Sequence, residues 1–137
     1  MNSISGNYCF ACGEDNPRGL RLEFVWEEDK FVTYFTPEKY HEGYPGIVHG
    51  GITAALLDEI MGKSMLSIGC PVMTAELKVR YKKPLRVGQE YRVVGWIVER
   101  KSRVIFTQSV IQDVEGNVVA EGEGKMIVLK EEDNDVE

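Results

Sequence analysis

The pattern of apolar and polar positions divides the chain into two short strands, one long helix and four longer strands. Leu20 to Trp26 and Phe31 to Phe35 read as strands, and the polar Glu27-Glu28-Asp29-Lys30 between them predicts a hairpin. A loop rich in Gly, Pro and Tyr follows, from Pro37 to Val48. From His49 to about Ile68 the residues are good helix formers without proline, and apolar side chains occupy almost every side. A helix of that kind is buried on most sides. Four strand-like segments then run at about Val72–Tyr81, Glu90–Arg100, Arg103–Asp113 and Asn117–Leu129, separated by turns such as Lys101-Ser102 and Glu115-Gly116-Asn117. Strands this long exceed the common five or six residues, which predicts a sheet that curls around something. Residues 1–19 read as an irregular N-terminal segment, and 130–137 as an acidic tail.

Strands and helix segregated in this order predict an α+β fold, an antiparallel sheet wrapped around one central helix. A single sheet leaves an edge, and pairing with a second copy is one way to cover it. The 137 residues fit one domain, with no repeat and no linker to divide them. A formal net charge of −6 argues against general nucleic-acid binding, which needs a clustered cationic face. The opening MNSISGNYCF is polar, and no run approaches the ~18 apolar residues of a membrane span. Three cysteines, an odd number, fit a reducing compartment, so the expectation is a cytoplasmic domain.

The densest chemistry lies in Gly46-Ile-Val-His49-Gly50-Gly51 and Asp58-Glu59. Gly50 and Gly51 open the predicted helix, where they let backbone approach a ligand and leave N–H groups pointing outward. The partial positive charge of a helix start would stabilise a developing oxyanion there. The plainer alternative is a tight turn into a helix. Asp58 lies mid-helix in an apolar stretch, where a carboxylate is partnered, surface-facing or functional. Its neighbour Glu59 leaves open that the pair marks one wet face. His49 and Asp58 are nine residues apart, which along a helix is roughly 13.5 Å and about half a turn. If both act, the site is built between two subunits.

The stretches GIVHGGITAALLDE and MTAELKVRYKKPLRVG resemble the hotdog-fold thioesterases of the phenylacetate-degradation (PaaI-like) type, and related mammalian thioesterase-superfamily proteins. CFACGEDNPRGLRLEF is similar to the opening of one bacterial and mammalian branch. The resemblance covers nearly the whole chain. It implies a helix wrapped by an antiparallel sheet, dimers with a continuous sheet or dimers of dimers, and hydrolysis of acyl-CoA thioesters with neither metal nor organic cofactor. Asp58 matches the family's catalytic carboxylate, a general base on water or else a nucleophile. Gly50 matches the backbone N–H that polarises the thioester carbonyl, with Gly51 beside it. His49 matches the histidine that orients the loop or the carbonyl. Thr74 corresponds to a hydroxyl that some members use to hold the water or the carboxylate. The chain departs from relatives that carry a side-chain amide a few residues before the His, reading Glu42-Gly43-Tyr44-Pro45 instead.

Coenzyme A carries phosphates, so an acidic protein must offer local cations. Lys82 and Lys83 at a strand end and Arg103 at a turn are the first candidates, with Arg80, Arg100 and Lys101 nearby. Cys9-x-x-Cys12-Gly looks like half a zinc knuckle, but a structural site needs four ligands, and only His41 and Cys70 remain unassigned. The expectation is therefore no metal, the cysteines being small buried residues at a turn. Two further functions stay open: a hydro-lyase on acyl thioesters, using His49 with Asp58, and a non-catalytic acyl-CoA-binding module.

Overall fold

The computed structural model describes residues 8–130. The first seven residues of the irregular segment and residues 131–137 of the acidic tail lie outside the described residues. The elements run β1 (Phe24–Glu27), β2 (Lys30–Phe35), a 3-10 turn (Lys39–His41), α1 (Gly50–Ser67), β3 (Val72–Tyr81), β4 (Tyr91–Lys101), β5 (Val104–Gln112) and β6 (Val118–Val128). All six strands form one antiparallel sheet in the order β1-β2-β4-β5-β6-β3. The sheet wraps one long helix, which is the hotdog fold.

α1 turns Thr53, Leu56, Leu57, Ile60, Met61, Ser64 and Met65 inward. Their spacing of three and four is that of one helix face. Against this face the strands contribute Val93, Ile105, Ile111, Ala120 and Met126, all inaccessible to solvent. Each buried Val, Leu, Ile or Met side chain there contributes on the order of 1.5–3 kcal/mol. Gly95 of β4 lets the sheet meet the helix closely, since a Cβ at that position would stand 3.1–3.3 Å from Ile60, including its backbone carbonyl.

The first expected strand needs correction. Leu20–Leu22 does not pair with β2. The Leu20 and Leu22 amides donate to the carbonyls of Phe10 and Ala11, and Arg21 between them has φ 55°. A left-handed residue cannot continue a strand, so β1 begins only at Phe24. Ala11 and Leu22 are buried and tie the irregular segment to the core.

Candidate active site

His49 is the N-cap of α1, and its ring Nδ1 accepts the Gly51 amide at 2.9 Å. A cap satisfies one of the orphan donors of a helix start. Ile52 and Thr53 donate to the His49 carbonyl. Gly50, the first helical residue, is exposed and its N–H donates to no acceptor among the described residues. The loop before it is folded by Glu42, whose carboxylate accepts the Gly46 amide at 2.8 Å. Gly46 itself has φ 79°, a conformation glycine adopts without strain.

This helix start faces a cavity of about 590 Å³ lined by Tyr44, His49, Gly50, Thr53, Tyr81, Lys82, Lys83 and Leu85 among others. Tyr81, at the end of β3, donates its hydroxyl to the Gly50 carbonyl at 2.8 Å. Its ring stands 3.6 Å from where a Gly50 Cβ would lie. Sequence reasoning missed Tyr81; the available signal was its place just before Lys82-Lys83 at a strand end. Lys82 pairs with Glu121 at 3.2 Å.

Asp58 is half-buried two turns further along α1, and Thr74 of β3 donates its hydroxyl to Asp58 Oδ1 at 2.7 Å. A β-bulge sits at this point: Thr74 pairs with Met126 and Glu76 with Lys125, leaving Ala75 unpaired. Bulges re-aim neighbouring side chains, and here the bulge adjoins the residue that meets the helical carboxylate.

The predicted residues thus fall into two groups. His49, Gly50, Lys82 and Lys83 share the cavity, with Gly51 bound to the His49 ring. Asp58 and Thr74 form a second group that does not line it. Arg103 is at the opposite end of the sheet, following the β4–β5 turn, where its Nη2 donates to the Val128 carbonyl at 2.7 Å. Val128 pairs with Val72, at the start of β3, whereas Lys82 follows the end of that strand. Within one chain Arg103 is therefore about a strand length from the two lysines.

Cys9 and Cys12 are half-buried at a turn, and both are free thiols. Cys9 Sγ stands 3.6 Å from Glu59 Oε2. Burial, together with the Glu59 carboxylate, pushes the Cys12 thiol up to about 12. His41 lies apart from this pair, its Nδ1 accepting the Glu38 amide, and burial holds its pKa below the usual range.

Among the described residues, no helix is long and apolar enough to cross a membrane. The chain is 34% identical over 85 residues to acyl-coenzyme A thioesterase THEM4 from Xenopus laevis, a match covering 62% of this chain and 38% of that protein. It therefore spans less than half the length of that relative. A crystal structure described as a thioesterase superfamily protein superposes with a TM-score of 0.82 at 28% identity, covering 87% of this chain and 62% of that one. A hypothetical thioesterase from Streptococcus pneumoniae, crystallised with coenzyme A, has the same fold at a TM-score of 0.73 and 23% identity, over 79% of this chain and 85% of that one. Residues 45–120, from the loop before His49 to the first residues of β6, match the model of the family described as the Thioesterase superfamily, and the chain belongs to that superfamily.

Proposed function

We propose that this protein hydrolyses acyl-CoA thioesters, with Asp58 as general base and the Gly50 N–H as the donor to the carbonyl oxygen. The observation that carries the reading is the Thr74–Asp58 hydrogen bond, which holds a carboxylate ready on a mostly apolar helix. Asp58 takes a proton from water as that water attacks the thioester carbon. The oxygen of the tetrahedral intermediate takes its negative charge against the Gly50 N–H and the helix start. Collapse expels the coenzyme A thiolate, a good leaving group, and a carboxylic acid remains.

Gly50 and Asp58 are eight residues apart on one helix, which is about 12 Å. One bound carbonyl cannot touch both, so the reacting pair comes from two chains. β3 is an edge of the sheet, ten residues long, and exposes Met73 (55%), Leu77 (38%) and Tyr81 (55%). Antiparallel pairing of two β3 edges about a two-fold axis brings the Thr74 end of one strand beside the Tyr81 end of the other. That arrangement covers the open edge and sets Asp58 of one chain toward Gly50 of its partner. Arg103 then joins Lys82 and Lys83 at a coenzyme A phosphate only across such an interface. Coenzyme A in the Streptococcus pneumoniae neighbour supports this ligand class. Crystal structures of the hypothetical thioesterase from the same source carry an Asp→Ala and a Thr→Ala change sixteen positions apart, the separation of Asp58 and Thr74. Three free thiols fit a reducing cytoplasm.

The hydro-lyase alternative asks His49 for a basic nitrogen. Its Nδ1 is occupied by the Gly51 amide, which leaves the proton on Nε2 and makes the ring a donor. The test is free-thiol release from a panel of acyl-CoAs by wild type and Asp58→Asn. Turnover on at least one thioester, falling by about 10² or more in the variant with folding retained, is the expected result. Saturable binding without turnover would replace the hydrolase by a binding module.

A further inference from the structure

From Tyr8 to Leu22 the N-terminal segment is built to a definite shape, and what it presents to the helix is two thiols. The Gly13 amide donates to the Cys9 carbonyl at 2.8 Å, which folds Cys9-Phe10-Ala11-Cys12-Gly13 into a single turn. Phe10 and Ala11 pair with Leu20 and Leu22, and Ala11 and Leu22 are buried in the core. Asn16 accepts the Arg18 amide and donates to the Tyr8 carbonyl. Gly19 is confined to glycine, since a Cβ there would lie 2.6 Å from the Phe10 oxygen. The result aims both sulfurs at one side chain of α1. One ligand atom each from Cys9, Cys12 and Glu59 lies within 4.8 Å of the other two.

We propose that Cys9, Cys12 and Glu59 form a zinc site that clamps the N-terminal segment onto the central helix. Ligand atoms around a tetrahedral zinc, at ~2.0–2.3 Å from the ion, stand roughly 3.3–3.8 Å from one another. The Cys9 Sγ to Glu59 Oε2 distance of 3.6 Å is already in that range. Two sulfurs with one carboxylate oxygen suit zinc, and three protein ligands leave the fourth position to water. Without a cation the arrangement is poorly satisfied. Among the described residues, the hydrogen-bond donors that meet the half-buried Glu59 carboxylate are thiols, which are weak donors. On coordination each thiol releases its proton to solvent, and two thiolates with one carboxylate face the 2+ ion. Lys63, close enough to Cys12 to act on its charge, offsets the remainder.

Glu59 follows Asp58 directly but points to a different side of the helix. Asp58 meets β3 through Thr74, and Glu59 meets the N-terminal turn. The metal is thus a clamp beside the hydrolytic site and takes no part in the reaction. The sequence alone offered His41 and Cys70 as further ligands; the proposed site instead takes Glu59 as its third ligand and water as its fourth. Neither residue is in the cluster, and Glu59, fifty positions beyond Cys9, is the ligand that spacing could not reveal.

The experiment uses the full chain, expressed in zinc-supplemented medium and purified without chelators or a metal-affinity tag. Elemental analysis is expected to find near-stoichiometric zinc in wild type and in Cys70→Ser, whose thiol is outside the cluster. Glu59→Gln and Cys12→Ser are expected to bind zinc at least ~10-fold more weakly. Cobalt(II) added to stripped wild-type protein should give a thiolate-to-cobalt charge-transfer band. That readout decides the matter even if Cys12→Ser fails to fold. A reduced wild-type protein that retains no zinc and shows no cobalt band would overturn the site. So would a Cys9–Cys12 disulfide as the native state, or unchanged zinc affinity in Glu59→Gln. None of these readouts depends on acyl-CoA turnover, so the metal site and the proposed hydrolysis stand or fall separately.

Discussion

A carboxylate on a buried helix is tolerable where a donor meets it, and for Asp58 that donor is the Thr74 hydroxyl at 2.7 Å. A hydrogen bond to an ionised acceptor contributes about 1.5–3 kcal/mol. If the bond holds Asp58 in position to activate water, Thr74→Ala should lower kcat by roughly 10–100-fold, and Thr74→Ser should restore most of it. Steady-state hydrolysis of the preferred acyl-CoA, with melting temperature as a control, separates this from a packing role, in which stability falls and kcat holds. Asp58 itself was legible because charge interrupting an apolar helix stands out. Thr74 stands out less, since threonine is a good strand residue and its pattern alone is that of sheet packing. The bulge at Ala75 adjoins it, and alanine gives no sequence sign of a bulge. Gly50 was singled out correctly as a helix start, whereas its link to Tyr81, thirty-one residues away, exists only in the folded chain.

Among the elements, α1 and β3 to β6 were readable to within a residue or two, because each is long and bounded by turn residues. β1 was not. Leu20–Trp26 has strand composition throughout, but the register of the first turn sends Leu20 and Leu22 to Phe10 and Ala11 instead. No local propensity distinguishes those two partners. The closeness of helix and sheet was equally hidden, and it rests in part on Gly95. Gly95→Ala would place a methyl 3.2 Å from the Ile60 carbonyl oxygen, a backbone atom that cannot turn aside. The sheet must then back away from the helix, an overpacking that costs about 1–3 kcal/mol. Urea unfolding should show a lower midpoint with an unchanged slope. A midpoint equal to wild type would mean that β4 shifts freely against α1.

At the scale of the whole molecule, the proposed dimer draws the two halves of its site from different chains, and subunit mixing tests that directly. Gly50→Pro removes the N–H at issue and closes a ring on that nitrogen. Proline is favoured at the first helical position, and His49 before it already has φ −56° and ψ 133°, the conformation a residue preceding proline adopts. A Cβ there meets Tyr81 at an ordinary 3.6 Å. The variant should fold normally and lose about 10²–10³ in kcat. Asp58→Asn loses the base and keeps the N–H. Unfolding the two variants together and refolding them as a 1:1 mixture gives about half heterodimers if pairing is random. Each heterodimer has one site with both defects and one with neither. Activity should therefore return to about a quarter of wild type, although each variant alone is nearly inactive. If both groups serve a site within one chain, no mixture regains activity, because every chain carries a defect. The returned quarter thus requires both the subunit interface and the division of labour between Gly50 and Asp58.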